Sequence, residues 1–293
     1  MSAEAARFAG IGDEAGKPIA EQISALRALG WRHLELRTVD GLPLAELDRA
    51  GARAVEAAVH RAGFSVVCLD SRIGSWARPA TAPFADDLAE LDTLSQWCAR
   101  LGTRYVRIMS YPADGLGESE WRHRVLDRVS RLTERAERAG IVLLHENCSG
   151  WAGASAERAV RLLDTVDSPA LRLLFDTGNG IAHGYHAYDL LAEVAGLVEH
   201  VHVKDAVPTQ DGPRYTLPGE GLSRVADCLR LLQANGYRGL FSLEPHLSVL
   251  PHEGRRDEDA ATDRFIAAGR RLERLVSEDV AEVLDRRAGS AAW

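Results

Sequence analysis

The chain has 293 residues, is 46% apolar and carries 43 acidic against 35 basic residues, a net charge of −8. That balance argues against a nucleic-acid partner, whose phosphates demand a basic surplus. No run approaches the roughly 18 apolar residues of a membrane span, and Met1–Arg7 has no apolar signal core, so a cytoplasmic protein with no membrane partner is expected. Cys68, Cys98, Cys148 and Cys228 are dispersed without a C-x-x-C pair and read as reduced thiols.

Strand-like and helix-like stretches alternate along the whole chain. Phe8–Gly12 reads as a first strand, and Ile19, Ile23, Leu26 and Leu29 recur at helical spacing up to Gly30. Trp31–Leu36 is the second strand, followed after Pro43 by a helix carrying Leu44, Leu47, Val55 and Val59 and stopped at Gly63. Phe64–Leu69 is the third strand, and Leu88, Leu91, Leu94, Cys98 and Leu101 form the helical stripe closed by Gly102. Tyr105–Met109 is the fourth, with a long helix from Trp121 to Gly140 behind it. Strands five to eight end at Glu146, Asp176, within Glu199–Asp205 and at Glu244, each with its own helix. The glycines at 30, 63, 102 and 140 recur at about the length of one strand–helix unit and sit where a left-handed helix terminus is wanted. Eight such units predict a single-domain (β/α)8 barrel over residues 1–293, with 277–293 a C-terminal helical tail. An open doubly wound sheet is the rival, but the first strand is not followed by G-x-G-x-x-G.

In such a barrel the C-terminal strand ends converge on one mouth. Glu146, Asp176, His202 and Glu244 occupy the ends of strands five to eight, and the period of two places Leu144, Leu174, His200 and Ser242 one layer below. Three carboxylates bare at one mouth would repel one another, so a divalent cation held by these four residues is expected. Three oxygens and one imidazole favour Mn²⁺ or Mg²⁺, with Co²⁺ or Zn²⁺ as substitutes. Lys204 shares the face of His202 and is read either as steadying a developing oxyanion or holding a substrate carboxylate or phosphate, or as neutralising Asp205 or Glu220.

Glu146-Asn147, Asp176-Thr177-Gly178-Asn179, His200-x-His202-x-Lys204-Asp205 and Glu244, with Gly12-Asp13-Glu14 and Pro218-Gly219-Glu220-Gly221, resemble the xylose isomerase-like barrel superfamily in its sugar-phosphate isomerase/epimerase branch. The resemblance covers nearly the whole chain and implies one divalent metal, a small carbohydrate or polyol partner, and proton transfer through a metal-bound enediolate. By position it makes Glu146 and Glu244 both ligands and proton carriers, and Asp176 and His202 ligands only. Where the epimerase pattern has a substrate-binding His, this chain has Asn179, and where it has an Arg after the metal His, Pro208 stands. The resemblance therefore implies a mononuclear site and an altered substrate.

Further substrate contacts are assigned to Arg107 and Glu35, with a structural ion pair as the alternative for Arg107. Trp76 and Trp151 are read as sugar-packing or core-shielding aromatics. His145 should face the helices as a satisfied core residue, and His200 should support the site from beneath. Nothing in the sequence singles out His183, His186, His246 or His252, and Cys148 has no identifiable partner base. An isomerase or epimerase acting on a sugar, a sugar phosphate or a polyol-derived ketone leads the functional reading. A lyase using the same residues (an inosose-type dehydratase or a C-glycoside-cleaving enzyme) stands beside it, ahead of an abasic-site nuclease and a non-catalytic sugar-binding barrel. A homo-oligomer is compatible with all of these.

Overall fold

The computed structural model describes residues 7–250, 255–257 and 259–280. Eight parallel strands close into a barrel in which each pairs with its sequence neighbours and the last pairs with the first. They are β1 (Phe8–Ile11), β2 (His33–Leu36), β3 (Ser65–Asp70), β4 (Tyr105–Ser110), β5 (Val142–Gly150), β6 (Leu171–Asp176), β7 (Val198–Val203) and β8 (Phe241–Leu243). Around them lie α1 (Ile19–Leu29), α2 (Arg49–Ala62), α3 (Phe84–Leu101), α4 (Glu118–Ala139), α5 (Ala156–Val166), α6 (Ala187–Val194), α7 (Val225–Ala234) and α8 (Ala261–Leu275). The expected barrel is the observed one.

Periodicity explains the two cores. Outward strand residues such as Leu34, Val106, Leu143 and Val201 join the helix stripes in one buried apolar shell, whereas Cys68, Leu144 and Leu174 form a small separate cluster inside the barrel. The helices stop where glycine permits it: Gly30, Gly63, Gly102 and Gly140 adopt φ of 79°, 66°, 71° and 69°. The last helix is tied back onto the first strand–helix units, Arg270 Nη2 donating to Ala28 O at 2.7 Å and Trp31 Nε1 donating to Glu273 Oε1 at 2.9 Å.

Several boundaries differ from the sequence reading. The helix after Pro43 is split: Leu44–Glu46 is a single 3-10 turn, and α2 begins at Arg49 because the Asp48 side chain accepts from Gly51 N and caps it. Strand β5 runs past Glu146 to Gly150, where it pairs with Ser110 across a bulge. Beyond the seventh strand, Asp205–Thr209 and Gly212–Thr216 form an antiparallel hairpin. Of the expected tail, Val276–Val280 is a π-helical turn, and 281–293 lie outside the described residues, as does His252.

The loop after β3 is fastened to β4, with Met109 N donating to Ile73 O and Tyr111 N to Gly74 O. Gly74 has φ +68°, and a Cβ there would lie 2.3 Å from the Met109 carbonyl oxygen. Gly74→Ala should therefore lower the unfolding free energy by about 1–3 kcal/mol, read from urea unfolding as a lower midpoint at constant slope.

Candidate metal centre

Strand register brings the predicted ligands together. Glu146 lies beside Leu174, Asp176 beside His202, and His202 beside Ser242, with Glu244 N donating to Val203 O just beyond β8. Glu146, Asp176, His202 and Glu244 each offer one ligand atom, and these atoms lie within 4.8 Å of one another, all buried.

The donor set fits a divalent cation. His202 Nε2 is 3.0 Å from Glu35 Oε1, and an ionised carboxylate only accepts, so Nε2 carries its proton toward Glu35 and Nδ1 remains to ligate. Nδ1 has no hydrogen-bond partner and stands 3.7 Å from Glu146 Oε1 and 3.6 Å from Glu244 Oε2. Burial alone would lower the His202 pKa, but Glu35, Glu146 and Glu244 raise it well above normal: the space around Nδ1 attracts positive charge. Asp176 Oδ2 is likewise without a hydrogen bond; Lys204 Nζ is 3.1 Å away but not aligned with it. Burial is the larger influence on Asp176 and lifts its pKa to about 6 against the pull of Lys204.

Each remaining carboxylate is held by named groups. Arg107 Nη1 donates to Glu146 Oε2 at 2.8 Å, and Asn179 Nδ2 donates to Glu146 Oε1 at 2.9 Å. Glu244 receives Arg37 Nη1 at 2.7 Å and Lys204 Nζ at 2.8 Å. Burial would raise the pKa of both glutamates; Arg107 for Glu146, and Lys204 with His246 for Glu244, reverse that and keep both ionised. Beneath them Glu35 bridges His202 and His200, whose Nε2 is 2.9 Å from Oε2, while Ser242 Oγ also donates to Glu35.

Several assignments need correction. Glu35, expected as a substrate contact, is fully buried, and its oxygens are taken by two imidazoles and a hydroxyl. Asn179, placed at a substrate position, is 1% exposed and spends its amide on Glu146 and the Asn147 carbonyl. Arg107 is in the site as an ion pair, its Nε 3.6 Å from Asp70 Oδ1. Lys204 pairs with Asp176 and Glu244, not with Asp205 or Glu220. Asp205 instead accepts from the backbone of Gly219, Gly221 and Ser223, which shapes the Pro218–Gly221 loop. Trp151 is buried, its Nε1 donating to Glu118, so it packs the core; Trp76, 37% exposed, lines a cavity beside the cluster. His145 is buried on the outer face as expected, but its Nε2 has no partner among the described residues, and burial lowers its pKa to about 4. Cys148 does have a neighbouring base: His183 Nε2 lies 3.3 Å from its Sγ, although burial pushes the thiol pKa up.

Three participants escaped the sequence reading. Arg37 binds Asp13, Glu14 and Glu244 at once; its parity with Glu35 is the signal that would have found it. Asp70 closes β3 two residues after inward-facing Cys68. His246 is held at φ +51° by Glu14, which accepts from its backbone N at 3.1 Å and lies 2.9 Å from Nδ1. Its Nε2 reaches within 3.5 Å of Lys204 Nζ.

Residues 23–266 match the model of the xylose isomerase-like TIM barrel family, and the chain belongs to that family. Among curated proteins it is similar to an inosose dehydratase of Clostridium perfringens, 26% identical over 144 residues, 44% of this chain and 48% of the relative. The chain thus matches about half the length of that relative. Among solved structures it is similar to the IOLI protein with a bound zinc atom, at TM-score 0.74 and 16% identity, covering 93% of this chain and 99% of that one. It is also similar to the 3-keto-D-glucoside 4-epimerase of E. coli, at TM-score 0.66 and 18% identity, covering 90% and 99%.

Because Glu35 sets the tautomer and orientation of His202, Glu35→Gln should weaken divalent-ion affinity by roughly 10–100-fold with the fold retained. Calorimetric titration of the metal-stripped protein with Mn²⁺ or Zn²⁺ reads this directly.

Proposed function

We propose that the protein is a divalent-metal-dependent isomerase or epimerase that moves a proton next to a carbonyl in a sugar- or polyol-derived ketone. One observation carries this reading: Glu146 and Glu244, from separate strands, flank the same free nitrogen of His202 at 3.7 and 3.6 Å. A substrate carbon above that centre has an ionised carboxylate on either side. One takes the proton and the other returns it, which inverts or relocates the hydrogen. Glu146, Asp176, His202 and Glu244 would hold the ion, Mn²⁺ or Mg²⁺ by their hard donor set, which when bound supplies Lewis-acid polarisation of the substrate oxygens. Lys204, its ammonium 2.8 Å from Glu244 Oε2, is positioned to steady negative charge on the same oxygens. Arg107 and Arg37 keep their glutamates ionised and aimed, and Asn179 fixes the other oxygen of Glu146.

A lyase reading has its own support. Curated relatives that match 43–44% of the chain are named inosose dehydratases, and dehydration begins with the same proton abstraction before a neighbouring hydroxyl leaves as water. Turnover in D₂O separates the two: deuterium fixed at carbon in an isomeric product supports the isomerase, and stoichiometric loss of water supports the lyase.

Glu146→Gln and Glu244→Gln should each lower kcat by about 10²–10⁴-fold while a metal ion is still bound; near-normal turnover in either variant would rule out the two-carboxylate scheme. Chelation should abolish activity, and stoichiometric Mn²⁺ or Mg²⁺ should restore it, as followed by a coupled product assay.

A further inference from the structure

We infer that Asp70 is a substrate-binding residue: together with Arg107 Nε it seats a hydroxyl of the bound ligand in the cavity beside the metal centre. This rests on the proposed function and adds the group that orients the substrate there. Strand register puts the two residues side by side, Asp70 closing β3 next to Arg107 on β4. Both line a cavity of about 290 Å³ beside the carboxylate cluster.

What marks Asp70 is hydrogen-bonding capacity that the protein leaves unused. The residue is 5% exposed, and neither Oδ1 nor Oδ2 has a hydrogen-bond partner among the described residues. Arg107 Nε, on an equally buried side chain, lacks one too, as does Ser75 Oγ on the same cavity wall. Buried polar atoms are nearly always paired, and one left open is costly. The other cations of this wall are engaged: Arg37 by Asp13, Glu14 and Glu244, Arg72 by Glu46, and Lys17 likewise. Arg72 Nε is also open, but that side chain is 42% exposed and lies against Glu46 and Glu90.

The spacing of the pair says what fits it. Arg107 Nε stands 3.6 Å from Asp70 Oδ1, beyond hydrogen-bond reach, while Nη1 of the same guanidinium is held at 2.8 Å by Glu146 Oε2. One hydroxyl satisfies both ends, accepting from Nε–H and donating to the carboxylate. A second metal ion would instead be repelled by the guanidinium. Burial raises the Asp70 pKa well above the usual carboxylate range against the pull of Arg107. A carboxylic acid keeps an acceptor oxygen, so the seat does not depend on the charge of Asp70. Arg107 also ties recognition to chemistry: the guanidinium that aims Glu146 fixes the substrate relative to that base.

The test is a crystal of the Mn²⁺-loaded protein soaked in glycerol, the smallest polyol, together with equilibrium binding of free ketohexoses, inososes and their monodeoxy analogues. Wild type, Asp70→Ala and Asp70→Asn are compared. A glycerol hydroxyl should lie within hydrogen-bond distance of both Asp70 and Arg107 Nε, and should be gone in Asp70→Ala. Asp70→Ala should bind the best sugar of the panel about 10–100-fold more weakly with Mn²⁺ affinity unchanged. It should also cease to distinguish that sugar from the analogue lacking the docked hydroxyl. Asp70→Asn, which keeps an acceptor, should retain part of that discrimination. Glycerol absent from Asp70 overturns the inference, and the soak decides where no sugar of the panel binds. Discrimination that persists in Asp70→Ala overturns it too. So does a parallel loss of Mn²⁺, the mark of a carboxylate that only steadies Arg107 and Glu146. The proposed function fails in a different way, through absence of stoichiometric metal or of solvent deuterium in any sugar, with glycerol still seated on Asp70.

Discussion

Convergence of carboxylates on one end of a barrel is the constraint from which the rest of this site follows. Glu146, Asp176 and Glu244 emerge from three strands of one mouth, with Asp13, Glu14, Asp70 and Glu35 packed around or under them. Left to themselves these groups would take up protons or push apart, since like charges in a low-dielectric interior repel over several ångströms. Arg37, Arg107 and Lys204 hold the outer oxygens, and each is bound to at least two of the acids. What they leave is a centre where His202 Nδ1 and Asp176 Oδ2 lack hydrogen bonds, a gap shaped for a cation.

Support for that centre is layered, and each layer acts through orientation. Below it, Glu35 joins His200, His202 and Ser242 into one hydrogen-bonded unit drawn from three strands, which holds the His202 imidazole in place. Beside it, Glu14 clamps His246 in a left-handed backbone conformation that a non-glycine residue adopts only at a cost. Glu14 is itself fixed by Arg37, so β1, β2 and the loop after β8 share a single electrostatic lock. Asp205, next to Lys204, ties three backbone amides of the Gly219–Ser223 loop and stiffens the wall on the opposite side.

Local patterning by itself determined the barrel and the four residues of its central cluster. Alternation of period two and of period 3.6 names strand and helix, glycine marks the helix ends, and strand parity fixes which side chains point inward, so Glu146, Asp176, His202 and Glu244 were readable without coordinates. Only the tertiary structure decided their partners. Arg37 meets Glu244 across 207 residues of chain and Glu35 meets His202 across 167, and no periodicity encodes which of several inward polar residues will touch. That is why the parity that points Glu35 and Lys204 inward does not tell that Glu35 meets His200 and His202, or that Lys204 meets Asp176 and Glu244. Direction of a side chain is a property of the strand it sits on, whereas the identity of its neighbour is a property of barrel closure, which brings together the ends of strands remote in sequence.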